Sequence, residues 1–279
     1  MDAEEFKQNQ SAMWGLGDYA ELGRTLRPAA DALCDACAVS AGQEVLDVAA
    51  GDGNFALAAA REGAAVVASD LSPEMVERGR RRASLEGYEV EWHQADAEGL
   101  PFEDGRFDCV GSVFGAMIAP RPEVAARELF RVARPGGTVG MTAWRAEGFM
   151  GDMFGVTRSY MPPSGLPQPH EWGDEDTVRE RFEGLAGTIE FRVAAVPWEA
   201  QSPDELMSRM EESVPPQVAA RQNMDPEKYG AMRAETVELF RRWNDGDGPL
   251  RIDAEYLLTV ARKRESRKQP ARPAARGRN

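Results

Sequence analysis

A chain of 279 residues holds one large domain, or one domain with a substantial insertion, and 42% hydrophobic with 29% charged residues is the content of a soluble globular protein. The net charge of −14 hides an asymmetry: residues 262–279 carry eight Lys or Arg against one Glu, leaving −21 on the rest, and an acidic body argues against a phosphate-backbone partner. No apolar run approaches the roughly 18 residues that cross a bilayer, and Met1-Asp2-Ala3-Glu4-Glu5 has the wrong charge to open a signal peptide, so a cytoplasmic protein without membrane attachment is expected.

The first 39 residues read as a helical or flap segment. Met13-Trp14-Gly15-Leu16-Gly17-Asp18-Tyr19 is glycine-broken and aromatic, suited to an entrance flap or a packing strap, and Pro28 is placed to open a helix reaching about Val39. Cys34-x-x-Cys37 has a metal-like spacing, but a zinc site needs about four ligands, and the two histidines, His93 and His170, are not paired in sequence. Two small residues on one helix face is the simpler reading.

Val45-Leu46-Asp47-Val48-Ala49-Ala50-Gly51-Asp52-Gly53 then reads as an apolar strand running into a glycine turn, followed by an alanine-rich helix. Gly51 and Gly53 let the backbone pass close beneath a ligand, because a side chain at either position would take the ligand's space. The pattern Gly51-x-Gly53-x-x-Ala56, with Asp70 19 residues past Gly51, satisfies a dinucleotide fingerprint too. Asp47 tilts the choice: a carboxylate at the strand end suits an amino-acid ammonium better than a pyrophosphate. S-adenosylmethionine carries that ammonium, a ribose and an adenine, and no phosphate.

A second strand, Ala65-Val66-Val67-Ala68-Ser69-Asp70, ends in an acid just before Ser72-Pro73-Glu74 opens a helix, which sets Asp70 at the carboxyl edge of a sheet. Residues 89–94 form a third strand running into Asp96, an acid able to accept from an adenine amino group, and His93 alternates away from Trp92 toward a structural or surface position. Phe107-Asp108-Cys109-Val110-Gly111-Ser112-Val113-Phe114 is a fourth strand; Pro122 opens the next helix, which Arg134-Pro135-Gly136-Gly137 ends before a strand over 138–143. Such alternation implies βαβ units and a parallel sheet covered on both faces.

Residues 145–173 are apolar yet proline-rich, as a lid would be, and hold Tyr160, His170 and Glu171. A short helix over 175–182 leads to a strand over 188–196; residues 198–248 carry two helical patterns, the second opened by Asp225-Pro226-Glu227, and form a natural substrate cap. A closing strand over 251–261 precedes a basic tail, residues 262–279, expected to be disordered.

Taken in order, Asp47-Val48-Ala49-Ala50-Gly51-Asp52-Gly53, Ser69-Asp70-Leu71-Ser72, Gln94-Ala95-Asp96-Ala97 with Leu100-Pro101-Phe102, Phe107-Asp108 with Ser112-Val113-Phe114, and the run Leu-Phe-Arg-Val-Ala-Arg-Pro-Gly-Gly over 129–137 resemble the class I S-adenosylmethionine-dependent methyltransferases, in the branch of small-molecule and quinone-type enzymes. The resemblance covers residues 40–145 and the last strand, and Ala49 stands where glycine is commoner. It implies a Rossmann-like, doubly wound α/β domain over 40–261, with seven strands, mostly parallel, and an antiparallel C-terminal hairpin. It implies that Asp47 and Gly51 hold the methionine end, with Ala49 and Gly53 also cofactor-binding, Asp70 the ribose with Leu71 beside the adenine, and Asp96 and Ala97 the adenine edge. Met75 counts among the cofactor-binding residues, and Ser112 with Phe114 would lie near the sulfonium.

A sulfonium methyl is already electrophilic, so the protein's task is to hold the reacting atoms in line and exclude water. A base is not strictly required; Tyr160, His170 and Glu171 are the candidates. No Asp/Asn-Pro-Pro-Tyr/Phe sequence follows the fourth strand and no Pro-Cys dipeptide occurs, so a small, partly apolar acceptor leads over nucleic-acid bases. The alternatives are an RNA or protein methyltransferase that uses the basic tail, a nicotinamide-dependent oxidoreductase, and a cofactor-binding protein without activity. No metal site is expected, and the oligomeric state is open.

Overall fold

Apolar runs bounded by glycine turns become strands here, and the Ala- and Arg-rich runs between them become helices. The structure, a computed structural model, describes residues 2–265 apart from 164, 245 and 247. Helices α1 (Ala3–Trp14) and α2 (Tyr19–Ala36) precede β1 (Glu44–Val48), α3 (Asn54–Arg61), β2 (Ala65–Asp70), α4 (Pro73–Glu86) and β3 (Val90–Gln94). Then come β4 (Phe107–Val113), a 3-10 turn at Ala116–Ile118, α5 (Pro122–Val132) and β5 (Ala133–Trp144). The second half holds α6 (Phe149–Ser159), a 3-10 turn at Pro169–Gly173, α7 (Glu175–Arg181), β6 (Ala186–Ala200), α8 (Pro203–Ser213), α9 (Pro215–Asn223), α10 (Pro226–Trp243) and β7 (Leu250–Lys263).

The seven strands lie in the order β3-β2-β1-β4-β5-β7-β6. Strands β1 to β5 are parallel, and β7 runs antiparallel to both β5 and β6. This is the sheet expected from the motif order. Its direction of travel reverses between β1 and β4, and a ligand crevice opens at such a switch point, outside the carboxyl ends of the strands.

Some boundaries differ from the sequence reading. Pro28 lies inside α2 rather than opening it. The buried stripe Leu22, Gly23, Leu26, Ala29, Ala30 and Leu33 runs across the proline, so tertiary packing carries the helix through a residue that costs about 3 kcal/mol in a helix interior. Strand β5 begins at Ala133, and Pro135 falls where the β4–β5 ladder shifts register between Phe107 and Cys109, a place that needs no N–H. Pro215 opens a separate α9 directly after Val214 closes α8, so residues 203–243 hold three helices where two patterns were read. Strand β7 runs to Lys263, two residues into the stretch read as a tail; residues 266–279 of that stretch lie outside the described residues.

Three glycines admit neighbouring side chains into the core. A Cβ on Gly140 of β5 would sit 2.4 Å from the Cys37 sulfur, and one on Gly111 of β4 would sit 2.1 Å from the Phe55 ring. Cys34 and Cys37 are buried where α2 meets the sheet. A Cβ on Gly79 of α4 would meet the Trp92 ring at 2.0 Å.

Two helical glycines should therefore respond oppositely to alanine. Gly230→Ala in α10 meets nothing within 4 Å and should raise unfolding free energy by about 0.5–1 kcal/mol. Gly79→Ala has the same propensity gain but drives a methyl into the Trp92 ring, and should lower stability by roughly 1–3 kcal/mol; urea unfolding of both variants checks the pair.

Candidate active site

The crevice is built on the loop that leaves β1. Asp47 is buried at the end of that strand, and its Oδ2 accepts the Ala56 N–H at 2.8 Å, pinning the first turn of α3. Its Oδ1 is buried and has no partner among the described residues. Burial pushes the Asp47 carboxyl up to about 8, with the charges of Asp70 and Asp52 adding to the rise. A cationic donor at Oδ1 would reverse that penalty, so the position fits an ammonium.

Beyond Asp47 the backbone turns through left-handed residues: Ala49 (φ +53°), Gly51 (+58°) and Gly53 (+91°). Ala49 bears a Cβ in a conformation that costs an L-residue about 1 kcal/mol or more. Neighbours hold it there, since the Ala49 carbonyl fills the space a side chain on Gly115 would need, at 2.2 Å. A Cβ on Gly53 would strike Trp92 at 2.9 Å, and one on Gly51 would lie 2.9 Å from the Tyr19 hydroxyl.

Asp70 closes this turn. Its Oδ2 accepts the Gly51 N–H at 2.8 Å and its Oδ1 accepts the Ser72 N–H at 2.9 Å, so one carboxylate ties the ends of β1 and β2 together. Burial pushes it up to about 6 against the pull of those N–H groups. Leu71 follows with its carbonyl accepting from Ser11 and Gln94, and Met75 is buried in the first turn of α4. The neighbouring β3 leads to Asp96, while Ala97 packs half-buried against the core.

On the β4 side, Ser112 is fully buried and commits both hydrogen-bonding roles to the fold: its Oγ donates to the Val48 carbonyl at 2.7 Å and accepts the Ala116 N–H at 2.8 Å. Phe114 is left-handed (φ +55°) and stacks on Trp144 at 3.9 Å, with Tyr256 edge-on to both rings. The carboxyl ends of β4, β5 and the facing part of β7 thus present a block of three aromatic side chains.

The N-terminal helices lie over this crevice, and sequence reasoning missed the contacts that hold them. Tyr19 stands above Gly51; burial, then the charges of Asp52, Asp70 and Asp47, raise its phenol well above the usual range, so it stays a proton donor. Asn54 donates to the Gly23 carbonyl at 2.8 Å, fixing α2 to the loop. From α1, the buried Lys7 reaches Asp96 Oδ2 at 2.7 Å, Glu4 at 2.7 Å and Glu98 at 3.3 Å. Arg121 joins Glu98 to Glu4 from the other side, at 2.7 and 2.9 Å. Burial alone would lower the Lys7 ammonium, but its carboxylate partners hold it above its usual value. Arg78 of α4 adds hydrogen bonds to the Gly15 and Gly17 carbonyls. The missed residues are scattered between Glu4 and Arg121, and only Glu4-x-x-Lys7 has a spacing that would signal a local pair.

The base candidates are placed differently from one another. His170 lies in the 3-10 turn packed on β5, stacked on Phe154 with centroids 5.6 Å apart. Its Nδ1 is buried without a partner among the described residues, and burial with nearby Arg158 lowers its basicity. Tyr160 donates to Glu235 of α10 at 2.9 Å, and Glu171 is occupied by the Gln168 N–H and Arg181. His93 pairs with Glu91, its neighbour on the exposed face of β3.

Residues 45–137 match the family described as a methyltransferase domain. An uncharacterised protein of Mycobacterium tuberculosis H37Rv is 39% identical over 257 residues, spanning 90% of this chain and 93% of that protein. Demethylmenaquinone methyltransferase of Clavibacter sepedonicus is 45% identical over 104 residues, 37% of this chain and 42% of that enzyme. Among solved structures, a proposed methyltransferase of Bacillus halodurans superposes with a TM-score of 0.61 at 24% identity, covering 84% of this chain and 98% of that one, which shows a shared fold.

The ion cluster around Lys7 implies a salt-sensitive cover. Lys7→Met should leave Glu98 and Asp96 short of a cation and raise amide hydrogen exchange in residues 3–14 roughly 5- to 30-fold at low salt. Raising salt to about 0.5 M should bring the unmodified protein part of the way toward the same exchange.

Proposed function

The chain belongs to the class I S-adenosylmethionine-dependent methyltransferases, and on that premise we propose that it methylates an O, N or C nucleophile of a small, partly apolar molecule by in-line displacement. The observation that carries the acceptor class is the aromatic block of Phe114, Trp144 and Tyr256 at the carboxyl ends of β4 and β5. Such a wall favours a flat or apolar body and excludes water from the reacting atoms. The partial likeness to a demethylmenaquinone methyltransferase supports a quinol-like ring as the first acceptor to try.

Bound S-adenosylmethionine supplies an electrophilic methyl carbon and a sulfur leaving group. The protein's own residues hold it and keep the site dry. Asp47 Oδ1 is the acceptor suited to the amino-acid ammonium, Gly51 and Gly53 give the backbone its close approach, and Tyr19 offers a donor above them. Asp70 and Asp96 keep lone pairs for ribose hydroxyls and the adenine amino group after their backbone and Lys7 contacts are counted. His170, with a free buried Nδ1 and lowered basicity, is the group we assign to take the acceptor's proton near neutral pH. The hydroxyl of Tyr160 is already donated to Glu235, which makes it the weaker candidate.

A reading as an RNA or protein methyltransferase rests on the basic tail, most of which lies outside the described residues; family membership sets aside the nicotinamide reading. Release of S-adenosylhomocysteine, measured against small phenols and hydroquinones and against RNA and protein, tests the proposal. Turnover with a small acceptor by a chain cut after residue 265 supports it, and turnover only with macromolecules sinks it. With an accepted substrate, His170→Gln should lower kcat by about 100-fold or more while leaving cofactor affinity within about twofold.

The Asp47 assignment has its own pH signature. Below about pH 8 the free protein holds this carboxyl protonated, so an ammonium must displace the proton and binding weakens as pH falls. Calorimetry should show S-adenosylmethionine affinity rising about tenfold or more from pH 6 to 8, and Asp47→Asn should flatten that rise.

A further inference from the structure

Strand β6 ends the sheet, and among the described residues no strand pairs with its outer edge. It is 15 residues long, and Thr188, Glu190, Arg192, Val193 and Ala195 along it are exposed, Val193 by 44%. Soluble proteins usually guard such an edge, because its unpaired N–H and C=O groups are a template for another strand. Here the guards stand at the two ends only: a ladder irregularity between Ala186 and Thr188, and Pro197, which has no N–H. The stretch between them is regular. Its two charged residues, Glu190 and Arg192, lie two apart on one face, and neither forms an ion pair or side-chain hydrogen bond among the described residues.

We propose that β6 pairs antiparallel with β6 of a second copy of this chain, about a twofold axis through Phe191, to join the two sheets into one. This is the register in which the strand complements itself. Residue pairs then sum to twice 191, so Glu190 faces Arg192 of the second copy and Arg192 faces its Glu190, giving two ion pairs related by the axis. On the opposite face Phe191, with the Arg179 guanidinium over its ring at 4.5 Å, meets its own symmetry mate, and Ile189 meets Val193 on each side of it. The same register runs Pro197 past the paired segment, where its missing N–H costs nothing. A shift by one residue would set Arg192 opposite Phe191 and Glu190 opposite Val193, leaving both charges unmatched. A two-fold contact of this kind is closed and stops at the dimer.

Sedimentation velocity of the full chain between about 1 and 100 μM tests the association, and charge reversal tests the register. Glu190→Arg alone or Arg192→Glu alone makes two like-charge pairs and should weaken the dimer at least tenfold. The double variant, Glu190→Arg with Arg192→Glu, recreates both pairs with the signs exchanged and should bring affinity back to within about threefold. Phe191→Cys should cross-link on mild oxidation, because facing residues of an antiparallel pair lie about 4.5–5.5 Å apart at Cα, within disulfide reach, whereas Glu199→Cys should not. A monomer at 100 μM, a dimer indifferent to the single reversals, or equal cross-linking at both positions would overturn the proposal.

Discussion

The hydrogen bond from the Gly51 N–H to the Asp70 carboxylate, 2.8 Å long and buried, is the constraint on which the crevice depends. It joins the exit of β1 to the exit of β2, and the second oxygen of the same carboxylate reaches the Ser72 N–H at the start of α4. Together with the Ala50 N–H, which is bonded to the Ser69 carbonyl at 2.9 Å, it anchors the left-handed run through Ala49, Gly51 and Gly53 on its β2 side. A carboxylate in this position is costly to bury, and its raised pKa records that cost. Two backbone N–H groups offset part of it, and they also orient the oxygens that remain for a ligand.

Around that tie the two sides of the crevice obey different physics. The β1–β2–β3 side is made of acids and a buried, left-handed turn of backbone, whose polar atoms must each find a partner. The β4–β5–β7 side is made of stacked aromatic rings, which offer apolar surface and few hydrogen-bonding groups. Helix α1 is held over the polar side by side-chain charges, and α2 by its buried apolar stripe, by the Asn54 bond to the Gly23 carbonyl and by the Tyr19 phenol. Ion pairs break at lower cost than a buried apolar interface once water can enter, so α1 is the more easily released of the two.

The glycines divide in a similar way. Gly51 and Gly53 are left-handed, with the Tyr19 hydroxyl and the Trp92 ring against them, while Gly79, Gly111 and Gly140 make room within the layers for Trp92, Phe55 and Cys37. The Gly53 and Gly79 spaces are filled by one indole, so the floor of the glycine turn and the packing of α4 share a residue. A change at Trp92 would be felt on both.

The antiparallel hairpin was expected from the family resemblance, whereas residue order made the parallel core of the sheet legible and placed Asp47, Asp70 and Asp96 at or just beyond successive strand ends. These features are encoded in contiguous stretches, where strand period, glycine turn and helix start follow one another within about 30 residues and local sterics settle the outcome. Packing in three dimensions was needed to carry α2 through Pro28, to commit Ser112 to backbone groups, to stand Tyr19 over Gly51, and to close Lys7, Glu98 and Arg121 on Asp96. Each of those outcomes is a contact between residues far apart in the chain or a burial that overrides a local preference. No periodicity records such a contact, because its energy comes into being only when the sheet has brought the partners together.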